Sequence, residues 1–241
     1  MLNFIVNPTY QVLLFLYLHL GNNLGLAIIA LTILVRAVLV PITYSSLKSA
    51  KKMQDLKPHL DNLKKKHTDK QKLQQAQLEL YKQHGINPAA GCLPQIVQLI
   101  ILIALYQVFL KFLDTNQING SALNTHFLWL DLNKSDPFYI LPVLAGLSQL
   151  VFSFMMRPGL EHHHPKKEKK AKTENNLEMA EAMQQQMLFL MPAMTALIAL
   201  RFPSGLALYW VITTLFSLLQ QYTISGLGGL TPLFAKLKLR K

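Results

Sequence analysis

The stretch "NLGLAIIALTILVRAVLVPITY", residues 23–44, is an almost unbroken apolar run with one arginine, Arg36, inside it. About 20 apolar residues in helical conformation cross a hydrocarbon layer ~30 Å thick. Similar blocks recur at 91–112, 137–156, 187–202 and 205–226. The 241-residue chain is 51% hydrophobic and only 15% charged, against about 25% charged in a typical soluble domain. These features predict an all-α polytopic membrane protein with five spans. The last two are separated only by "RFPSG" (201–205), where Pro203 and Gly205 break the helix and permit a tight reversal.

Residues 1–22 are predicted to form an interfacial helix. Asn7 is an N-cap candidate, Pro8 occupies the first helical position and Gly21 follows the end. Such a helix of about twelve residues is too short to span. An extra span or a signal anchor is the alternative, although a basic leader and a small-residue cleavage site are both missing.

Basic residues set the orientation. Segment 45–84 holds ten lysines, segment 157–186 holds Arg157 and five lysines, and the tail 227–241 holds Lys236, Lys238, Arg240 and Lys241; the alternate loops hold Lys134 and Arg201. The positive-inside rule then places the N-terminus outside and the C-terminus in the cytoplasm. The net charge of +12 is accounted for by lysines facing anionic lipid headgroups or solvent, with ribosomal RNA as a further partner of the same chemistry. No sequence-specific nucleic-acid binding is implied.

Within 45–84, Met53, Leu56, Leu60 and Leu63 recur at helical spacing, as do Leu73, Ala76 and Leu80. Thr68 with Gln71 forms a capping-box pattern, and Gly85 before Asn87-Pro88 ends the second helix. This segment is predicted to be a cytoplasmic helical hairpin whose apolar stripes pack on each other. By contrast, 157–186, with "EHHHPKKEKKAKTENN" (161–176), is predicted to be a flexible cytoplasmic linker. Its adjacent histidines lack the ligand spacing of a metal site. Residues 227–241 form a short basic tail. Cys92 is the only cysteine, so an intramolecular disulfide is excluded.

The spans hold no candidate for catalysis. All twelve acidic residues lie outside the apolar blocks or at their boundaries, and so do the histidines. Neither a carboxylate proton relay nor a nucleophile with its base can be assembled at membrane depth. Neither an enzyme nor a cofactor is expected.

Arg36 is therefore a permanent cation without a counter-ion. Its cost at a helix centre is about 2.5–3.5 kcal/mol on insertion scales, and more in dry lipid. Snorkelling to the nearer interface is one solution. The other is a water-filled site lined by the polar residues of the spans: Thr32, one turn before Arg36; Gln95 and Gln98; Ser148 and Gln149; and Tyr209, Trp210 and Thr213.

Four motifs in order carry a family resemblance: "RAVLVPIT" (36–43), "LYKQHGINPAAGCLPQIVQ" (80–98), "LWLDLNKSDPFYILPVLAG" (128–146) and "QQQMLFLMPAMTALIALRFPSGLALYWVITTLFSLLQQ" (184–221). Across residues 22–226 the chain resembles the YidC-type membrane protein insertases, which include the mitochondrial Oxa and chloroplast Albino proteins. The resemblance implies a bacterial plasma-membrane insertase and chaperone with a positively charged groove open to cytoplasm and lipid. In it, Arg36 matches the groove arginine, Thr32 its polar neighbour, Gln149 a groove residue, and Tyr209 with Trp210 an aromatic pair.

Nascent membrane proteins and lipids are the implied partners, with the ribosome and a Sec-type translocon beyond them, for a monomer or weak oligomer. The sequence departs from some relatives in leaving no room for a large periplasmic domain, and its short tail counts against ribosome docking. A small anion or solute transporter or channel, or a passive membrane-protein assembly scaffold, is the alternative function.

Overall fold

The computed structural model describes residues 3–66, 69–86, 93–114, 117–118, 121–156 and 175–231. Helix α1 (Asn3–His19) is followed by α2 (Leu24–Asp55), α3 (Lys57–Lys66), α4 (Lys70–Gln83) and α5 (Leu93–Asp114). Two antiparallel pairs of two-residue strands come next, β1 (Gln117–Ile118) with β2 (Ser121–Ala122) and β3 (His126–Phe127) with β4 (Leu130–Asp131). Helices α6 (Ile140–Met156), α7 (Asn175–Arg201) and α8 (Ser204–Ser225) complete the bundle with a 3₁₀ turn at Gly228–Leu230.

The fold is mostly helical, as the apolar blocks predict. Helix α2 and the Val97–Asp114 part of α5 are long and apolar enough to cross a membrane, while Ile140–Met156 and Leu188–Arg201 are apolar but shorter. Helix α8 has 22 residues and carries Thr213, Thr214, Ser217, Gln220 and Gln221 within them.

Several boundaries differ from the sequence reading. Helix α1 begins at Asn3, so Pro8 lies inside it and forfeits the bond to the Phe4 carbonyl. Asn7 does not cap it: its side chain instead accepts from Lys111 Nζ on α5 (3.2 Å). Helix α2 runs past residue 44 to Asp55, and α3 starts only after Leu56. The cap of α4 is Asp69, whose side chain accepts from the Gln71 N–H (2.9 Å); Thr68 lies outside the described residues. Helix α7 starts at Asn175, inside the segment predicted as linker. Residues 157–174, including the three histidines, Cys92 and the tail from 232 onward also lie outside the described residues.

Helices α2 and α8 run side by side in the same direction. Ile28 lies against Gly205, and Thr43 bonds to Gln220 177 residues further on, the same offset as 205 − 28. Lys51 Nζ then donates to the carbonyl of Ile224 (3.0 Å), near the C-terminus of α8, and Gln54 Nε2 to that of Met156 (2.7 Å), the last residue of α6. Both donors satisfy carbonyls that a helix end leaves unpaired. Helix α6 packs between α7 and α8, where Gly146 lets Ala196 approach to within 3.0 Å of the place a Cβ would take.

Burial is polarised along the bundle. Near the β3–β4 segment the core is apolar and tight, with Leu13, Leu24, Phe112, Leu130, Leu132 and Leu206 almost wholly buried. Towards α3 the buried residues of α2 are Thr43, Ser46 and Leu47, and those of α8 include Thr213, Thr214, Gln220 and Gln221. We call these the cap end and the hairpin end.

The segment 124–139 seals the cap end. Ser204 and Gly205 donate their N–H groups to the carbonyls of Lys134 (2.7 Å) and Leu132 (3.1 Å), and Ser204 Oγ donates to the Asp131 carbonyl (2.8 Å). The first N–H groups of α8, which have no intrahelical acceptor, are thus satisfied by the loop. The Phe127 ring occupies the space that a Cβ on Gly25 of α2 would fill.

Burial raises the pKa of Asp131, but bonds from Lys134 (2.9 Å), the Thr125 hydroxyl and the Asn133 N–H outweigh it and hold the carboxyl below its ordinary value. A depressed folded-state pKa contributes stability present above the unfolded value and lost as pH falls through the folded one. Acidification below about pH 4 is therefore expected to lower the melting temperature less in Asp131→Asn than in the wild type. Equal acid sensitivity in thermal melts would remove Asp131 from that account.

At the hairpin end, Gln220 Nε2 donates to Thr43 Oγ1 (2.8 Å), a buried amide–hydroxyl pair between α8 and α2. Thr43→Val is expected to cost about 1–3 kcal/mol because the amide loses its partner, whereas Thr43→Val with Gln220→Leu recovers much of the loss. Unfolding in detergent micelles checks this; a double variant as unstable as the sum of the singles counts against it.

Candidate functional site

Arg36 lies in α2, about 18 Å from Leu24 at ~1.5 Å per residue. It is half-buried, and its guanidinium donates from Nη2 to Gln98 Oε1 on α5 (2.7 Å). Gln98 Nε2 donates in turn to the Tyr209 hydroxyl on α8 (2.9 Å). Three helices are thereby joined by one polar chain. Gln98 suits the middle position because its amide carries an acceptor and a donor on one group.

None of the described carboxylates is within ion-pair distance of Arg36. A guanidinium has five N–H donors. Gln98 is the one described residue that accepts from it. Pro41 adds an acceptor nearby: lying inside α2, it withholds the N–H that the Ala37 carbonyl would receive.

Towards the cap end the surroundings are mostly apolar. Thr32 is buried (1% exposed), and its hydroxyl donates to the Ile28 carbonyl of its own helix (2.6 Å), leaving the site no donor. Beside it is a cavity of about 20 Å³ lined by Leu13, Leu31, Phe109 and Tyr209 among others, room for roughly one water. Towards the hairpin end, the constant offset between α2 and α8 sets Thr213 level with Arg36. Thr213 is buried, with its hydroxyl beside that of Tyr209 one turn earlier in α8.

The remaining predicted residues are less directly engaged. Ser148 is buried but donates to the Ala145 carbonyl (3.1 Å), while Gln149 and Trp210 are half-buried. The Gln95 side chain lies outside the described residues. Gln220 and Gln221 were not among the predicted site residues, although they stand out as an amide pair in an apolar block. Gln221 is fully buried, and neither end of its amide bonds to a described residue. Such a group carries a desolvation cost until water or another polar group reaches it.

The arrangement holds a cation against neutral dipoles in the interior of the bundle, with N–H groups beyond the one bonded to Gln98. Among the described residues there is no cluster of three metal-ligating side chains.

The family model described as "60Kd inner membrane protein" matches residues 15–227. The chain is 36% identical over 229 residues to "Membrane protein insertase MisCA" of Bacillus subtilis (strain 168), covering 92% of this chain and 78% of that one. It is 37% identical over 209 residues to "Membrane protein insertase YidC" of Fusobacterium nucleatum subsp. nucleatum, covering 86% and 89%. Among solved structures it superposes, with a TM-score of 0.64 and 25% identity, on "Active YidC insertase crystal structure with the first transmembrane domain resolved". That match covers 91% of this chain and 46% of the solved one, so the chain spans about half its length.

Proposed function

Because this chain belongs to the 60Kd inner membrane protein family, whose members include the YidC insertases, we propose that it inserts newly made membrane proteins and helps them fold through a groove around Arg36. The observation that carries the reading is the chain Arg36–Gln98–Tyr209, a cation that meets neutral dipoles among the described residues and stands where the apolar cap end gives way to the polar hairpin end.

Five spans are proposed, formed by α2, α5, α6, α7 and α8, with residues 23–226 as the insertase core. Residues 1–22 lie in the interface, and 227–241 form a cytoplasmic tail. The N-terminus and the cap end face outward, and the lysine-rich segment 45–84 projects into the cytoplasm as a helical hairpin. The membrane is the bacterial plasma membrane, and the monomer or a weak oligomer is the working unit. The groove comprises Arg36, Thr32, Gln95, Gln98, Ser148, Gln149, Tyr209, Trp210 and Thr213.

Each step has a physical cause. Water in the hairpin half of the groove shortens the hydrocarbon that a polar segment must cross, which lowers its desolvation cost. Arg36 attracts acidic residues of that segment more strongly than bulk water would permit. The apolar part of the substrate then partitions into lipid beside the groove, and its burial drives the reaction. The sequence contains no phosphate-binding Gly-rich loop of the kind that would couple insertion to nucleotide hydrolysis.

The test is insertion of a small single-span protein into liposomes that contain this protein alone. Protease protection of the substrate's tail is the expected result. Anion flux without tail protection would favour a transporter, and neither activity would favour a scaffold.

A further inference from the structure

The cap-end loop displays large apolar side chains where a water-facing loop would carry polar ones. Leu128 is 75% exposed, Phe138 66% and Tyr139 59%, with Trp129 beside them at 42%. Leu128 and Tyr139 both have positive φ, 55° and 57°. That conformation is unfavourable for bulky residues and persists only when the surroundings enforce it.

Asp136 ties the residues next to both positions together. It is 2% exposed and accepts three bonds: from Trp129 Nε1 (3.2 Å) and the Phe138 N–H (3.1 Å) on Oδ1, and from the Leu141 N–H (2.7 Å) on Oδ2. The last also caps the N-terminus of α6, where an anion is favoured. One carboxylate thus gathers Leu128–Trp129 and Phe138–Tyr139 into a single patch. With its N–H committed to Asp136, the Trp129 ring has no polar group left to satisfy. It differs there from an ordinary interfacial tryptophan, whose N–H faces the headgroups.

The patch continues directly into α6, whose Ile140, Val143, Leu144 and Leu147 are exposed on an apolar helix. In a membrane protein such a surface is covered by acyl chains. We propose that the Asp136 clasp seats Leu128, Trp129, Phe138 and Tyr139 in the bilayer interface at the cap end, with the glycerophospholipid ester region as their partner. The loop that seals the bundle is then also its anchor in that leaflet. This holds independently of the insertase reading, since it concerns a lipid contact remote from Arg36.

The test uses full-length protein carrying Trp210→Phe, which leaves Trp129 as the sole tryptophan. It is reconstituted into phosphatidylglycerol–phosphatidylcholine vesicles containing phosphatidylcholine brominated near the top, middle or end of its acyl chains. Trp129 emission is expected to be quenched most by bromine near the headgroups and little by aqueous iodide. In Asp136→Ala the bromine quenching is expected to be lost and iodide quenching gained, and Asp136→Asn, which keeps one acceptor, to fall between. Quenching of the parent by iodide but not bromine would overturn the proposal by placing the patch in water. Quenching by neither would overturn it by placing the patch against protein, and unchanged bromine quenching in both Asp136 variants would remove the clasp. If Asp136→Ala does not fold, the parent and Asp136→Asn still decide both points.

Discussion

Arg36→Ala is expected to slow insertion of substrates with acidic tails by about ten- to a hundredfold, while Arg36→Lys keeps a substantial part of the activity. At about 5 Å and an effective dielectric near 20, a guanidinium and a carboxylate attract by roughly 3 kcal/mol, and desolvation of the tail offsets part of that. Each 1.4 kcal/mol is a factor of ten. Lysine retains the charge but not the planar fork that can engage Gln98 and a carboxylate together. Substrates with neutral tails should be affected little. Protease protection over a series of tails with increasing acidic content gives the readout; an equal loss for neutral and acidic tails would mean that Arg36 works through structure and not as a counter-charge.

The second large effect is expected at Gly25. The Phe127 ring stands where any side chain at this position would begin, and the ring atoms involved include those nearest its own backbone, which cannot swing away. Gly25→Val should destabilise the protein by about 1–3 kcal/mol or more through overpacking. The loss should be cooperative, because the loop wedged at Gly25 also satisfies the first N–H groups of α8 through Leu132 and Lys134. Combining Gly25→Val with Phe127→Ala should cost clearly less than the sum of the two single changes. Thermal unfolding in micelles measures the coupling, and strict additivity would show that the wedge does not exist in solution.

Arg36 and Asp136 illustrate what could be read from the chain and what could not. That no acidic residue shares an apolar block with Arg36 could be read from where the carboxylates fall along the sequence. Its actual acceptor could not be chosen from the sequence, because Gln95 and Gln98 are equivalent there as amides in one apolar block. Asp136 looked like one of several loop acids. Its burial and three bonds depend on Trp129, seven residues earlier, being folded back over it, a matter of loop path and not of composition. The N-cap expectation at Asn7 failed for a related reason. Local pattern favoured a cap at Asn7, but packing of α1 on α5 put its side chain within reach of Lys111.

The sequence by itself determined the mostly helical class, the long apolar blocks and the isolation of Arg36 within one of them, because hydrocarbon enforces long apolar runs and excludes charge along each segment independently of its neighbours. Tertiary structure alone decided which dipoles meet Arg36, how α2 is registered against α8, and that one loop seals the cap end. Those contacts join residues as far apart as 62, 111 and 177 positions, and the helical period that places each side chain on a face is silent about which other helix that face will meet.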